Sequence, residues 1–385
     1  MNKLISVVTG SRADFGLLQG VISRIHSAAN LELELIVTGS HLSESFGSTK
    51  QEISVAGYEK VVEMGLNLEM ISESDTGIAI SDLISQLTRH YSNSRPSLTL
   101  VLGDRYEILG AAVACATLGI PLGHIHGGEV TSGSKDDMYR HAITKLASLH
   151  FVANSEFQSR VVGMGENPKT VYVVGGLGVD SIDQLKLLSK TELEVQLGIS
   201  LGPRYALVTY HPDTINPDKS LDQLDTILRS IAKFPEIQFI ITGANADYYG
   251  DQINLRLKDE AKQQTNVQFF NSVGQQNYLS LLSRANFVLG NSSSGLLEAP
   301  SFGTTTINIG GRQDGRPRAS SVVDVECEET QLVKVIQSVI SASPGSTLQS
   351  VENAYGNPGA SKKITEILDA LDLNNLLPKR FFDLK

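Results

Sequence analysis

Short apolar runs alternate along this chain with stretches whose apolar positions recur every three or four residues. LISVVT at 4–9 reads as a buried strand. The following stretch, 15–29, sets Leu17, Leu18, Val21, Ile22 and Ile25 on one helical face. LELELIVT at 31–38 alternates apolar and charged residues, which predicts a half-buried strand. Residues 78–91 space Ile80, Leu83, Ile84, Leu87 and Tyr91 as a helix does. LTLVL (98–102), PLGHI (121–125), LHFVAN (149–154) and VYVVGG (171–176) read as further strands. Strand, helix, strand repeated this often predicts a doubly wound parallel sheet.

After VVGGLGVD the pattern restarts. Residues 179–203 read as helical up to the turn at Gly202-Pro203, with Thr191 and Glu194 as a capping box. RYALVTYHP (204–212) opens a second series of strands, continued by IQFIITG (237–243), VQFF (267–270), FVLGN (287–291) and TTINIG (305–310). The fold class is therefore α/β with two Rossmann-like domains, 1–178 and 179–365. An amphipathic segment, 366–385, is expected to pack back on the first. Two such halves facing each other set a ligand in the cleft at the carboxyl ends of their strands.

Composition narrows the partners. A chain of 385 residues is long enough for two domains with their own cores. The formal net charge of -10 argues against nucleic acid and against an anionic membrane surface. It leaves room for a phosphorylated ligand, which needs only local positive groups. The opening MNKLISVVTG reads as a strand rather than a signal peptide. No run approaches the roughly 18 apolar residues of a membrane span, so a cytoplasmic protein is expected. Cys115 and Cys327 make neither a zinc spacing nor a disulfide framework, and Cys115 reads as inert core.

The densest chemistry lies in TLVLGDRYEILGAAVACATLGIPLGHIHGGEVTSGSKDDMYRHAITK, 99–145. One strand runs into Gly103-Asp104-Arg105 and the next into His126-Gly127-Gly128-Glu129, after which a polar loop delivers Asp136, Asp137, Arg140 and His141. Two charged loops on one sheet edge make an acid–base site. Asp104 and Asp136 also suit helix caps, but capping explains neither Arg105 nor the Gly-Gly pair beside Glu129. Gly10-Ser11-Arg12-Ala13-Asp14 follows the first strand without the G-x-G-x-x-G fingerprint, so a nicotinamide cofactor is not expected. The turn offers backbone N–H groups to an anion and Arg12 adds a fork-shaped donor, though Asp14 is equally readable as a cap. His211, between Tyr210 and Pro212, ends a strand where it can bond phosphate or move a proton. Gly290-Asn291-Ser292-Ser293-Ser294-Gly295 reads as a strand end, hydroxyl residues and a helix start suited to a diphosphate, with Glu298 one turn on to hold ribose hydroxyls. Arg312, Arg316 and Arg318 form a positive cluster among glycines.

Taken in order, VTGSRADFG, LGDRYEILGAA, HIHGGEVTSGSKDDMYRHAITKLA, YHPDT, LGNSSSGLLE and INIGGRQDGR cover nearly the whole chain. As a set they resemble the hydrolysing UDP-N-acetylglucosamine 2-epimerase family. The resemblance implies a glycosyltransferase-B architecture, which the element order also suggests. It implies loss of the sugar carbon-2 proton with expulsion of UDP to a glycal, then hydration to N-acetylmannosamine, with no metal and no other cofactor. By matching position it implies Asp104 and Asp136 as catalytic carboxylates and Arg105 as an orienting group. Arg12, His211, Ser292, Ser293 and Arg312 would hold the diphosphate, Glu298 the ribose, with Asp14 and Gly243 in the substrate site. Many relatives carry a catalytic glutamate where this chain has His126, so Glu129 or His126 takes that role, or the sugar differs. A homo-oligomer, dimer or tetramer, is expected. Three rivals stand beside this reading: a related enzyme acting on a UDP- or GDP-linked diacetamido-trideoxy sugar, a glycosyltransferase, and a non-catalytic nucleotide-sugar binder.

Overall fold

The structure is a computed structural model, and it describes residues 2–43, 50–68, 73–213, 215–245, 247–341 and 351–383. Thr214 of the YHPDT motif lies outside them. By its contacts the chain divides into two compact units. The first holds Met1–Val130, Asp136–Gln184 and Tyr355–Lys385; the second holds Thr131–Lys135 and Leu185–Ala354.

The first unit runs β1 (Lys3–Thr9), α1 (Arg12–Ser27), β2 (Leu31–Thr38), α2 (Lys50–Val55), β3 (Val61–Met64), α3 (Glu73–Ser94), β4 (Leu98–Leu102), α4 (Tyr106–Leu118), β5 (Leu122–Ile125), α5 (Asp136–Leu146), β6 (Leu149–Val152), α6 (Ser155–Gly163), β7 (Val171–Val173) and α7 (Leu177–Gln184). The second runs α8 (Lys190–Leu197), β8 (Tyr205–Thr209), α9 (Ser220–Ile231), β9 (Gln238–Thr242), α10 (Gly250–Gln263), β10 (Val267–Phe270), α11 (Gln275–Leu282), β11 (Phe287–Gly290), α12 (Ser294–Leu297), β12 (Thr305–Ile309), β13 (Val322–Val325) and α13 (Glu329–Ser341). The chain then returns to the first unit with α14 (Ala360–Ala370).

Both sheets are parallel, in the orders β3-β2-β1-β4-β5-β6-β7 and β10-β9-β8-β11-β12-β13. A parallel sheet must be covered on both faces, which is why its strands read as apolar runs. Alternate residues of the first sheet face opposite ways. Ile5, Val7, Leu35 and Leu100 pack with α1 and α14, whereas Val8, Ile36 and Val101 pack with α3 and α4. The second unit has its own core around Val208, Phe239, Leu289 and Ile307. Each strand order reverses once, between β1 and β4 and between β8 and β11. In open α/β sheets that reversal opens a crevice at the carboxyl ends of the strands.

Several expectations change. β2 is not half-buried: Glu34 on it is fully buried and ion-paired with Lys60 (3.2 Å) and His90 (3.1 Å). The reason is β3, a short strand outside it that the apolar pattern does not mark. The stretch 179–203 is not one helical run, and the capping box is Ser189 with Glu192 rather than Thr191 with Glu194. Glu194 instead accepts a hydrogen bond from Leu201 N–H at 2.8 Å. The boundary expected at 178 lies at 184, because α7 packs on α1 and α14. The returning segment begins at Tyr355 rather than 366. Tyr355 is fully buried, and its carbonyl accepts from Gly176 N–H at 2.8 Å. No helix among the described residues is long and apolar enough to cross a membrane.

Candidate active site

In the first unit the reversal point lies between the loops after β1 and β4. Ser11, not Asp14, caps α1, its Oγ accepting from Asp14 N–H at 3.2 Å. Asp14 Oδ2 is buried without a partner. Burial pushes this carboxyl up to about 7; Arg105 pulls it down, while Glu107 and Asp104 push it further up. Arg12 opens the helix beside it. Arg105 donates from Nε to the buried Glu107 at 2.7 Å. The residue at the cap of α4 is Arg105, so Asp104 is not the cap. Its carboxylate is instead held by Arg140.

Arg140 organises this edge. It comes from α5, where Asp136 is the first residue, and Asp136 and Arg140 share a helix face at spacing i, i+4. The Arg140 side chain is almost fully buried and its Nη1 donates to His126 O at 3.0 Å. The same nitrogen stands 3.8 Å from Glu129. Glu129 is fully buried and 2.8 Å from His126 Nδ1. His126 Nε2 accepts a hydrogen bond from Leu177 N–H at 3.2 Å. In the neutral ring the proton is therefore on Nδ1, facing Glu129. Nε2 is occupied within the protein, and Nδ1 faces the Glu129 carboxylate.

The backbone that permits this is strained. His126 has φ 65° and Gly128 φ 77°. A side chain at Gly128 would also meet Phe157 O at 2.5 Å. The double turn folds Glu129 back over His126, and such outliers gather where a site is over-determined by its surroundings. His124 beneath it stays neutral. Burial lowers its imidazole to about 3. Its Nε2 donates to Gly103 O at 2.8 Å and its Nδ1 pairs with the Thr144 hydroxyl at 3.0 Å, which pins the Asp104 loop. Asp137 and His141, one turn apart on α5, pair at 3.4 Å.

The second unit presents a different edge. His211 follows β8 and is clamped by Asn291 after β11. His211 N–H donates to Asn291 Oδ1 at 2.7 Å, and Asn291 Nδ2 donates to His211 O at 2.9 Å. His211 Nδ1 accepts from Asn245 N–H at 3.2 Å, which leaves the neutral ring's proton on Nε2. Asn291 O accepts from Gln313 Nε2 at 2.9 Å and from Arg312 Nη1 at 3.4 Å. Arg312 Nε is buried without a partner. Ser292 and Ser293 are half-buried beside this network. Gly243 closes β9 with its N–H on Phe270 O at 2.9 Å.

Two expectations need correction here. The helix after the serines is a single turn, Ser294–Leu297, because Pro300 follows at once and cannot continue it. Backbone and hydroxyl donors, rather than a helix dipole, are what this loop offers. Arg318 is a staple of its own loop: it binds Asp324 at 2.8 Å and the carbonyls of Gln313 and Arg316 at 3.0 and 2.7 Å. Glu298 is bonded by the Ser294 hydroxyl, and burial pushes its carboxyl up to about 7.

The first unit thus brings Asp104, His126 and Glu129 together through Arg140, and sets Asp14 beside Arg105. The second joins His211 and Arg312 through Asn291. Glu107 is the residue that pattern reading left out of the site, and Arg140 and Asn291 were placed in their loops without a role. The i, i+4 spacing from Asp136 was the available signal for Arg140. Among the described residues no group of three or more His, Cys, Asp or Glu is arranged to hold a metal ion.

Two parallel doubly wound units with polar loops at the carboxyl ends of their strands define an α/β protein of glycosyltransferase-B type. The chain belongs to the UDP-N-acetylglucosamine 2-epimerase family, whose model matches residues 23–369. It is 35% identical over 384 residues to polysialic acid biosynthesis protein P7 of Escherichia coli, covering 99% of this chain and 98% of that one. It is 34% identical to the GDP/UDP-N,N'-diacetylbacillosamine 2-epimerase (hydrolyzing) of Campylobacter jejuni, covering 99% of each. Among solved structures, the UDP-GlcNAc 2-epimerase of Neisseria meningitidis bound to UDP-GlcNAc superposes with a TM-score of 0.78 at 20% identity, over 95% of this chain and 99% of that one.

Proposed function

We propose that this chain is a hydrolysing 2-epimerase that converts UDP-N-acetylglucosamine and water to N-acetylmannosamine and UDP. The observation that carries the reading is the carboxylate of Asp104, 19% exposed and held by the buried Arg140 on the carboxyl edge of the sheet. A proton on the carbon bearing the acetamido group is weakly acidic and needs a positioned base. Asp104 and Asp136 are that acid–base pair. The C2–H electron pair becomes the C1–C2 double bond as the C1–O bond to UDP breaks. Water then adds its hydroxyl to C1 and a proton to C2 from the opposite face. Glu129 is fully buried, and His126 Nε2 is taken by Leu177 N–H. They hold Arg140, and Arg105 orients the loop.

The leaving diphosphate needs its charge met by fixed donors. Arg12, His211 Nε2, Ser292, Ser293 and Arg312 supply them. Glu298 holds the ribose, and Asp14 and Gly243 line the substrate. A second reading has its own support. Two relatives, from Campylobacter jejuni at 34% identity and Legionella pneumophila at 31%, are named as hydrolysing diacetylbacillosamine 2-epimerases. On that reading the sugar is a UDP- or GDP-linked 2,4-diacetamido-2,4,6-trideoxy hexose and the chemistry is unchanged. Product analysis by NMR with both substrates, in the presence of chelator, separates them. Free 2-epimerised sugar and free nucleotide are expected; an epimerised sugar still bearing its nucleotide overturns the hydrolytic reading. The reading also carries a cytoplasmic, self-associating enzyme, which fractionation and sedimentation velocity test.

A further inference from the structure

Five residues stand out from their surroundings. Thr131–Lys135 make their contacts within the second unit, although Val130 before them and Asp136 after them belong to the first. They form a tight turn, with Ser134 N–H donating to Thr131 O at 2.9 Å. That turn lies against another, Gly311–Asp314, closed by Asp314 N–H on Gly311 O at 2.9 Å. Ser132 N–H donates to Asp314 O at 2.8 Å. Gly133 meets bare backbone: a Cβ there would stand 1.7 Å from Gly311 O and 3.0 Å from Arg312 Cα. Thr131 and Ser134 are buried in the same arrangement.

We infer that Gly133 is a positioning residue of the reaction, whose docking beneath Arg312 lets the nucleoside diphosphate held there set Glu129 and Asp136. This rests on the function proposed above. The coupling is covalent. Glu129 and Val130 precede the strap directly, and Asp136 follows it and opens the helix that carries Arg140. An extended chain spans at most about 3.3–3.6 Å per residue, and this strap spends part of its five residues on a turn. A shift of the Gly311–Asp314 turn therefore has only a few residues to travel to Glu129 and Asp136. Because the contact is backbone on backbone, any side chain at 133 breaks it, while the donors to the diphosphate stay in place.

Hydrogen exchange on the full chain tests this, with UDP as the probe. In the wild type, UDP is expected to slow exchange in peptides covering 290–298 and also in those covering 126–138. In Gly133→Ala it slows only the first. Turnover is expected to fall at least about tenfold there, with KM and UDP affinity held within about threefold, the split expected when an interaction matters in the transition state alone. Ser132→Pro, which removes the N–H to Asp314 and adds nothing at 133, is expected to behave the same way. UDP protection confined to 290–298 in the wild type overturns the inference, as does wild-type turnover in both variants. So does a parallel loss of UDP affinity and melting temperature with turnover in both, which marks a merely structural role. No protection of either peptide overturns the functional reading and this inference with it.

Discussion

The two carboxyl edges of this molecule are built from opposite materials. On the first, charges are already paired within the protein: Asp104 with Arg140, Arg140 with Glu129, Glu129 with His126, Arg105 with Glu107. On the second, amides and hydroxyls make the scaffold, and Asn291 clamps His211 while receiving Arg312 and Gln313. Pre-paired charges fix where a carboxylate points, which proton transfer requires. A scaffold of amides and hydroxyls brings donors without opposing charge, which suits an anion. On the function proposed above, the first edge reacts and the second holds.

Substitutions that separate turnover from binding sharpen this contrast. Asp104→Asn keeps shape and removes both charge and proton transfer, so turnover is expected to fall by about 100- to 10,000-fold with UDP affinity unchanged in calorimetry. Glu129→Gln and His126→Asn are next. Glu129 stands 3.8 Å from Arg140 in a buried charge cluster, and its loss is expected to lower turnover by less than the Asp104 substitution does. His126→Asn is expected to cost less, since Asn tolerates the left-handed backbone at that position and Arg140 bonds only the carbonyl there. If His126→Asn is the more damaging variant by steady-state rate, the imidazole carries the proton after all.

On the second edge, Arg312→Ala removes charge-assisted bonds worth about 1.5–3 kcal/mol, or roughly 10- to 150-fold in UDP affinity. Its chemical step, read in single-turnover experiments at saturating substrate, is expected to stay near wild type. Unchanged UDP binding would break the comparison on that side. The smallest effect is on stability. The Asp14 carboxyl is raised from 3.8 to about 7, so the folded state keeps its proton where the unfolded state has lost it. Stability from this group therefore falls as pH rises from about 4 to about 7 and is level above that. Asp14→Asn escapes the loss, and its melting temperature relative to wild type is expected to climb between pH 5 and pH 8 and then flatten.

Most strands and the two parallel sheets were legible because parallel strands are apolar throughout, and the polar loops at their carboxyl ends marked the candidate residues. What escaped reading had physical causes. VVEM and VVDV, the edge strands β3 and β13, are too short and too acidic to stand out. Glu34 looked exposed because alternation counts charges and not the Lys60 and His90 that neutralise one. Arg140 lies on an amphipathic helix, where a charged residue ordinarily faces water. Only the fold turns it inward onto Asp104. Ser189 and Thr191 are both plausible caps, and the choice fell to where the helix starts.

The most direct test of a reacting edge and a holding edge is the reaction run in deuterium oxide, with product sugar and nucleotide followed together by NMR. Wild-type enzyme is expected to release UDP and a sugar carrying one deuterium at carbon 2. Asp104→Asn is expected to bind UDP as well as wild type and to incorporate almost none. Product that keeps its original hydrogen at carbon 2, or deuterium incorporation by Asp104→Asn at the wild-type rate, would contradict the account.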